Sequence, residues 1–459
     1  GQKWHGIELP EEVRDDYEAE VWANDLKDFL FRMRYSPKAN FASQAHEFIV
    51  SLLAFGTAVM IVEDIIGHGI RYKTSHLSEH YIMENSKGII DVDYRKYKMT
   101  ARQAQERFKE NTPQKVLDAL EKTPNKKMWF LHVVMPDNGD APEGMDFVSY
   151  HISIEDNELI STGGYKTFPY IISRWVTSPS EIYGRSPSIS VLSEIKMLNA
   201  MRRTDIKARH NAVSPPILAA DQHTIRRLSL KPDAINFGTL DMNGRELVKP
   251  YNSGVNIAVS DDTLTQSREV INSAFFLDLF QILVENPQQT ATEALIRNQE
   301  KGVLLSPSAG RQKNEFLDPL IEREISIYES YGIFEDDGLL PMPESIKETG
   351  GTIEIKYQNP ITNMQNSEEA LATEKTVQAL IPIAQLDPSI LDPIDWTEYA
   401  QIQRKANGAP QRLFKPPEQF AAEREQKAQA EQAAQLAAMA PQVTGSIKDL
   451  AQADALGRS

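Results

Sequence analysis

The segment HLSEH, from His76 to His80, places two imidazoles four residues apart with Glu79 beside the second. This His-x-x-Glu-His spacing is the one inverse zinc peptidases use. On a helix, residues four apart lie one above the other, so both rings can reach one metal ion while the carboxylate activates a water. The arrangement works only on a helix, and the residues that follow predict a different structure. Tyr81-Ile-Met-Glu-Asn-Ser-Lys-Gly88-Ile-Ile-Asp-Val-Asp-Tyr94 reads as a strand, a turn and a second strand, with β-branched and aromatic residues on both sides of the turn. His76, Glu79 and His80 are therefore read as turn or surface residues, no metal or cofactor is expected, and a zinc peptidase is carried as the enzymatic alternative.

Other catalytic signatures are incomplete. No Gly-x-x-x-x-Gly-Lys-Ser/Thr phosphate loop occurs, so ATP hydrolysis by that route is not expected. Gly67-His-Gly69 lacks its third glycine, Tyr72 standing in that place, and Gly184-Arg-Ser186-Pro-Ser188 resembles a nucleophile elbow only until Ser188 replaces the last glycine. Both are read as turns. The chain contains no cysteine, which excludes disulfides, thiolate metal sites and cysteine nucleophiles and fits assembly in a reducing cytoplasm. Its net charge of −16 argues against tight neutralisation of phosphates, which needs clustered Lys and Arg. The longest apolar run, Phe48 to Val62, is interrupted by Ser51, Gly56 and Thr57 and falls short of the about 20 residues a bilayer span requires.

At 459 residues the chain is long enough for two or three domains. The opening part reads as α+β. Trp22, Leu26, Phe29, Leu30 and Met33 form one helical stripe closed by Ser36-Pro37. A helix from Ala45 to Phe55 stops at Gly56, and Ala58 to Val62 reads as a buried strand. Thr100 caps a helix running to Phe108, while 130–134 and 147–154 read as strands. Farther on, Ser188 to His210 reads as a long helix with Ile189, Leu192, Ile195, Leu198 and Met201 on one stripe, ending in the basic cluster Arg202, Arg203, Lys207 and Arg209 before Pro215-Pro216. About fifty residues of short strands and turns follow. A returning helix is expected from an Asp261-Asp262 cap through Val270, Ala274, Phe275 and Leu279 to Val284, ended by Asn286-Pro287. More helix is expected from Thr292-Glu293 to Tyr331 with a break near 305–310, a strand at 353–357, and helix from Asn366 divided at Pro382, Pro388 and Pro393. Residues 420–440, rich in Ala, Glu and Gln, would be a marginal helix alone.

Several longer phrases, in order over residues 40–330, resemble the head-to-tail connector, or portal, family of short-tailed phages. They are Glu84-Asn-Ser-Lys-Gly88 with Asp91-Val-Asp-Tyr94-Arg95, Met99-Thr-Ala-Arg-Gln103, Pro169-Tyr-Ile-Ile-Ser-Arg174-Trp175 and Glu181-Ile-Tyr-Gly-Arg-Ser-Pro187. Lys196-Met-Leu-Asn199 leading to Pro215-Pro216, Thr290-Ala-Thr292-Glu293 and Gly310-Arg-Gln-Lys-Asn-Glu315-Phe-Leu-Asp-Pro-Leu320 continue the series. The resemblance implies a mainly helical α+β subunit of a dodecameric ring at one capsid vertex. Its parts would be a wing (1–186 and 293–358), a two-helix stem (187–213 and 261–285), a β-containing clip (214–260), a tunnel loop (286–292), and a C-terminal helical crown with an Ala-rich barrel or tail (359–459).

By the same resemblance, Asn286, Gln288, Gln289 and Thr290 would line the DNA channel, offering hydrogen bonds without fixed charge. The cluster Arg202, Arg203, Lys207 and Arg209 either faces that channel or pairs with a neighbouring subunit, and the carboxylates of Asp261, Asp262 and Glu269 favour pairing. The implied partners are further copies of the chain, a terminase motor, major capsid and scaffolding proteins, tail adaptor proteins, and double-stranded DNA in non-specific transit. The implied location is the virion's portal vertex, after assembly in the host bacterial cytoplasm. Another virion protein, such as a tail adaptor or internal scaffold, is the structural alternative.

Overall fold

The computed structural model describes residues 4–13, 16–65, 69–219, 229, 235–237, 239–250, 257–277, 309–350, 354–357, 360–384, 388–407 and scattered positions from 409 to 430. The chain forms two compact units, one from residues 1–39 and 324–459, the other from residues 40–323.

The first unit opens with strand β1 (His5–Glu8) and helix α1 (Tyr17–Arg34). Asp16 caps α1 by accepting from the Glu18 amide, and Trp22, Leu26, Phe29 and Leu30 are buried along the stripe that their spacing predicts.

The second unit begins with α2 (Phe41–Phe55), which ends where Gly56 takes a left-handed conformation, φ 83°, and returns its amide to the Leu52 carbonyl. Strands β2 (Thr57–Ile65) and β3 (Gly69–Ser75) pair antiparallel. Then β4 (His80–Glu84), β5 (Ile90–Thr100), β6 (Lys127–Pro136), β7 (Phe147–Ser153) and β8 (Glu158–Tyr165) form a five-stranded antiparallel meander in chain order. The β4–β5 turn follows from its residues: the Asn85 side chain accepts from the amides of Lys87 and Ile89, and Gly88 supplies φ 77°.

Between β5 and β6, α3 (Ala101–Phe108) starts at a capping box of Thr100 with Gln103, and α4 (Gln114–Lys122) follows. Side chains two apart on β6, from Met128 through Phe130 and His132 to Val134, share one face of the meander. At one end α3 and α4 cover that face, burying Tyr97, Ala104, Phe108 and Val116 against Met128 and Phe130. At the other end β2 and its second neighbour β9 (Tyr170–Arg174) cover it, packing Val59, Ile61, Tyr170 and Ile172 against Ile82 and Val134. Each such buried side chain contributes roughly 1.5–3 kcal/mol.

A short helix α5 (Pro187–Ser190), capped by Ser186, leads into α6 (Leu192–Val213). Strands β10 (Ile217–Ala219) and β11 (Val248–Pro250) pair antiparallel, and α7 (Ile257–Ala274) returns against α6. Three expectations are corrected here. The residues at every third position, Ile189 to Met201, do not form one face, because a period of three drifts about 60° per step around a helix of 3.6 residues per turn. Ile189 and Leu192 are instead exposed, and Val191 interrupts the helix between them. Asp261 and Asp262 do not cap α7 either; the helix begins at Ile257, so both lie inside it. The helix also ends at Ala274 rather than running on through Phe275, because Phe276 takes a left-handed conformation, φ 58°; Leu279 to Val284 lie outside the described residues.

A π-helical turn, Lys313–Leu317, precedes α8 (Asp318–Ser330), and its Phe316 stacks on Phe48 with ring centroids 4.4 Å apart. The first unit resumes within α8. Glu324 there takes a bidentate pair from Arg34, both side chains fully buried, while Arg34 also donates to His5. After α9 (Glu344–Glu348), β12 (Glu354–Tyr357) pairs antiparallel with β1. Helices α10 (Pro360–Ala384) and α11 (Trp396–Asn407) follow. Here α10 starts before the expected Asn366 and carries Pro382 inside its last turn rather than ending there.

Candidate functional site

The HLSEH segment is a single 3₁₀ turn, Leu77–Glu79, between two strands. His76 is exposed, accepts from the Ser78 amide at 3.2 Å and meets the Phe55 ring edge-on. His80 is buried at the start of β4, with Nδ1 2.9 Å from the Asp93 carboxylate and Nε2 2.6 Å from the Ser75 hydroxyl. Glu79 accepts from Arg95. One ring faces solvent and the other the interior, and protein partners use both nitrogens of His80, so the three groups do not converge on an ion. Among the described residues, no group of three or more His, Asp or Glu side chains is placed to hold a metal.

His80 belongs instead to a buried row. Strand register sets His80 opposite Arg95, Arg95 opposite His132, and His132 opposite His151, so four adjacent strands place one of these groups each on the covered face. The His132 and His151 rings stack with centroids 4.1 Å apart, and Tyr170 lies 2.6 Å from His132 Nδ1. Burial holds the Tyr170 hydroxyl protonated far above its ordinary range, so it donates to His132. Burial, followed by the charges of His151 and Arg107, pushes His132 well below the usual imidazole range, and burial with Arg107 lowers His151 to about 4. Both rings are neutral near pH 7. The row is a polar spine for the sheet, and the sequence hinted at it only through the parity of His132 and His151 on their strands.

A second centre gathers four of the quoted phrases. The Arg174 guanidinium donates to Glu315 at 2.8 Å, to Glu84, and to the carbonyls of Ile182 and Gly88. Gln312 completes it, donating to the Arg174 carbonyl and accepting from Ser173. Arg174 on β9 thus joins the end of β4 and its turn, the segment of Ile182 and the π-helical turn, which span residues 84–315.

The third centre is the α6–α7 hairpin, which carries the basic cluster. Asp205 is the buried residue of α6; Arg202 reaches it at 3.1 Å and Arg209 at 2.9 Å, and Arg209 also bonds Asp261 across the hairpin. Arg203 and Lys207 are exposed and make no hydrogen bond or ion pair among the described residues. The cluster therefore divides: Arg202 and Arg209 neutralise a buried carboxylate within the chain, while Arg203 and Lys207 point away from it. Asn286, Gln288, Gln289 and Thr290 lie outside the described residues.

Over 98% of its length the chain is 26% identical to the portal protein of Salmonella phage epsilon15, covering 82% of that protein. Over 91% it is 24% identical to a probable portal protein of Bordetella phage BPP-1, covering 76% of it. Among solved structures, a chain from the neck of an empty gene transfer agent particle aligns with TM-score 0.36 and 11% identity, over 78% of this chain and 83% of that one. A chain from the virion of a native gene transfer agent particle aligns with TM-score 0.33 and 13% identity, over 82% and 85%. The family model described as bacteriophage head to tail connecting protein matches residues 1–414, a span that contains the row, the Arg174 centre and the hairpin. The chain belongs to the bacteriophage head-to-tail connecting protein family.

Proposed function

We propose that the chain is a portal subunit whose copies close into a ring of about twelve at one capsid vertex, through which DNA enters and leaves the head. The supporting observation is α6, a helix of 22 residues whose buried residue is a single aspartate. Leu192, Met197 and Ile206 on α6 and Val270 on α7 are 42–50% exposed in a single chain. A helix gains most of its stability from a packed face, and neighbouring copies would supply what this hairpin lacks. As a connector the protein is a structural component of the virion at the head–tail junction.

In this reading the α6–α7 hairpin is the stem and residues 214–260 the clip, where the terminase motor and then tail proteins dock, while capsid and scaffolding proteins surround the wing. A net charge of −16 per chain gives roughly −190 for such a ring, so a passing duplex meets a wall that repels rather than holds it. Asn286, Gln288, Gln289 and Thr290 would touch the moving backbone weakly. In a packaging reaction with purified motor and proheads, alanine at Asn286, Gln288 and Gln289 should leave rings intact but alter packaging or retention of DNA, whereas Ile206→Asp should prevent ring formation. Unchanged packaging and retention by the loop variant overturn the tunnel-loop assignment; rings from Ile206→Asp overturn the stem assignment.

A further inference from the structure

Charge is segregated along the hairpin. On α6, Lys196, Arg203, Lys207 and His210 follow one another at intervals of seven, four and three residues, which fall along one line of an α-helix. All four are exposed. The acids of α6, Glu194 and Asp205, lie on its opposite side. On α7, Asp262 and Glu269, seven residues apart, form a corresponding exposed acidic line with Gln266 between them. Arg268 falls about a third of a turn away from that line. None of the side chains of Lys196, Arg203, Lys207, His210, Asp262 and Glu269 has a hydrogen-bond or ion-pair partner among the described residues.

Helix dipoles explain only part of this. Lys207 and His210 near the C-terminus of α6, and Asp262 near the N-terminus of α7, suit the dipole; Lys196 near the start of α6 and Glu269 near the end of α7 oppose it. The heights of the charges supply another reason. The Arg209–Asp261 pair sets the register of the antiparallel hairpin. Counting from it at 1.5 Å per residue, Lys207 stands within about 2 Å of the level of Asp262, and Arg203 within about 3 Å of the level of Glu269. Cyclic symmetry rotates one copy onto the next without moving it along the ring axis. Hairpins set along that axis therefore keep their heights, and the basic line of one copy meets the acidic line of the next at matching levels.

We infer that α6 of each copy docks on α7 of its neighbour through the pairs Arg203 with Glu269 and Lys207 with Asp262, a head-to-tail contact that fixes the order and height of subunits in the ring. The inference rests on the ring reading above and names the surface that closes it.

Charge reversal tests the contact, since every chain carries both lines. Arg203→Glu with Lys207→Glu, and separately Asp262→Lys with Glu269→Lys, should each abolish the ring species in sedimentation velocity at low salt. The chain carrying all four substitutions should recover it, because both lines are then reversed together. Circular dichroism should match the unsubstituted chain throughout, as the four sites are exposed, and thermal melts should match it at protein concentrations where the unsubstituted chain is also unassembled. Rings from either two-site variant at the unsubstituted level overturn the contact while leaving the ring reading intact. If those rings also bind a double-stranded oligonucleotide several-fold more weakly at low salt, the basic line faces DNA and the contact is again overturned. Failure of the four-site chain to recover rings overturns the pairing, and absence of rings from the unsubstituted chain overturns the ring reading and this contact with it.

Discussion

Stacking His132 on His151 beneath Tyr170 makes protonation of the sheet's covered face costly. Both imidazoles are lowered relative to an unfolded value near 6.5, His151 to about 4. Between those values the unfolded chain binds more protons than the folded one, so stability rises with pH there. The contribution is fully present above about pH 6.5 and is lost as pH falls towards 4. Thermal melts of the unsubstituted chain should drop by several degrees between pH 7 and pH 5, and His151→Phe should flatten that dependence; an equally steep profile in the variant would show that other groups carry it. The peptidase alternative is tested at the same scale. His76→Ala should leave stability within about 0.5 kcal/mol, since that ring is exposed, whereas His80→Ala strands the Asp93 carboxylate in the interior and should cost on the order of 3 kcal/mol. Elemental analysis should find no stoichiometric zinc in either protein. One zinc per chain, lost on substituting both histidines, would restore the enzymatic reading. At the Arg174 centre, Glu315→Ala should cost about 2–3 kcal/mol, measured by denaturant melts, because it removes a carboxylate from a guanidinium that is nearly buried.

The segment leading into α5 and α6 is stapled to the C-terminal end of α2. Ser186 and Ser188 donate to the Ala54 and Leu53 carbonyls, which the helix itself leaves unpaired, and the Gly184 amide donates to Thr57. Gly56 and Gly184 approach so closely that a Cβ on either would run into the other segment's backbone. Gly184→Ala should therefore cost about 2–3 kcal/mol in a denaturant melt, because backbone cannot yield as side chains do. A loss below about 0.5 kcal/mol would show that the staple is slack. Much of this was legible in the sequence. The Glu181-Ile-Tyr-Gly-Arg-Ser-Pro187 phrase, the Gly56 stop, the Gly88 turn and the Thr100 cap all act locally, so their residue types report their structure. The roles of Glu84, Arg174 and Glu315 were not legible, although each stood in a quoted phrase, because their contact joins residues up to 231 positions apart by number. Likewise, the buried pairing of Asp205 with Arg202 and Arg209 was not legible, because it depends on the hairpin closing, and repeated threefold spacing on α6 looked like a face that helical geometry does not provide.

For the whole molecule, family membership and the bare hairpin point the same way. A chain that leaves apolar side chains of its α6–α7 hairpin 42–50% exposed and splits charge between two helix faces has surfaces suited to its own copies. The central claim is that these copies close. Mass photometry with electron-microscope imaging of the purified chain tests it most directly. Closed rings with an open central channel and a particle mass about twelve times the 51.7 kDa of one chain are expected. A species that stays at the mass of one chain across protein concentrations and salt, with no rings in the images, would contradict the claim.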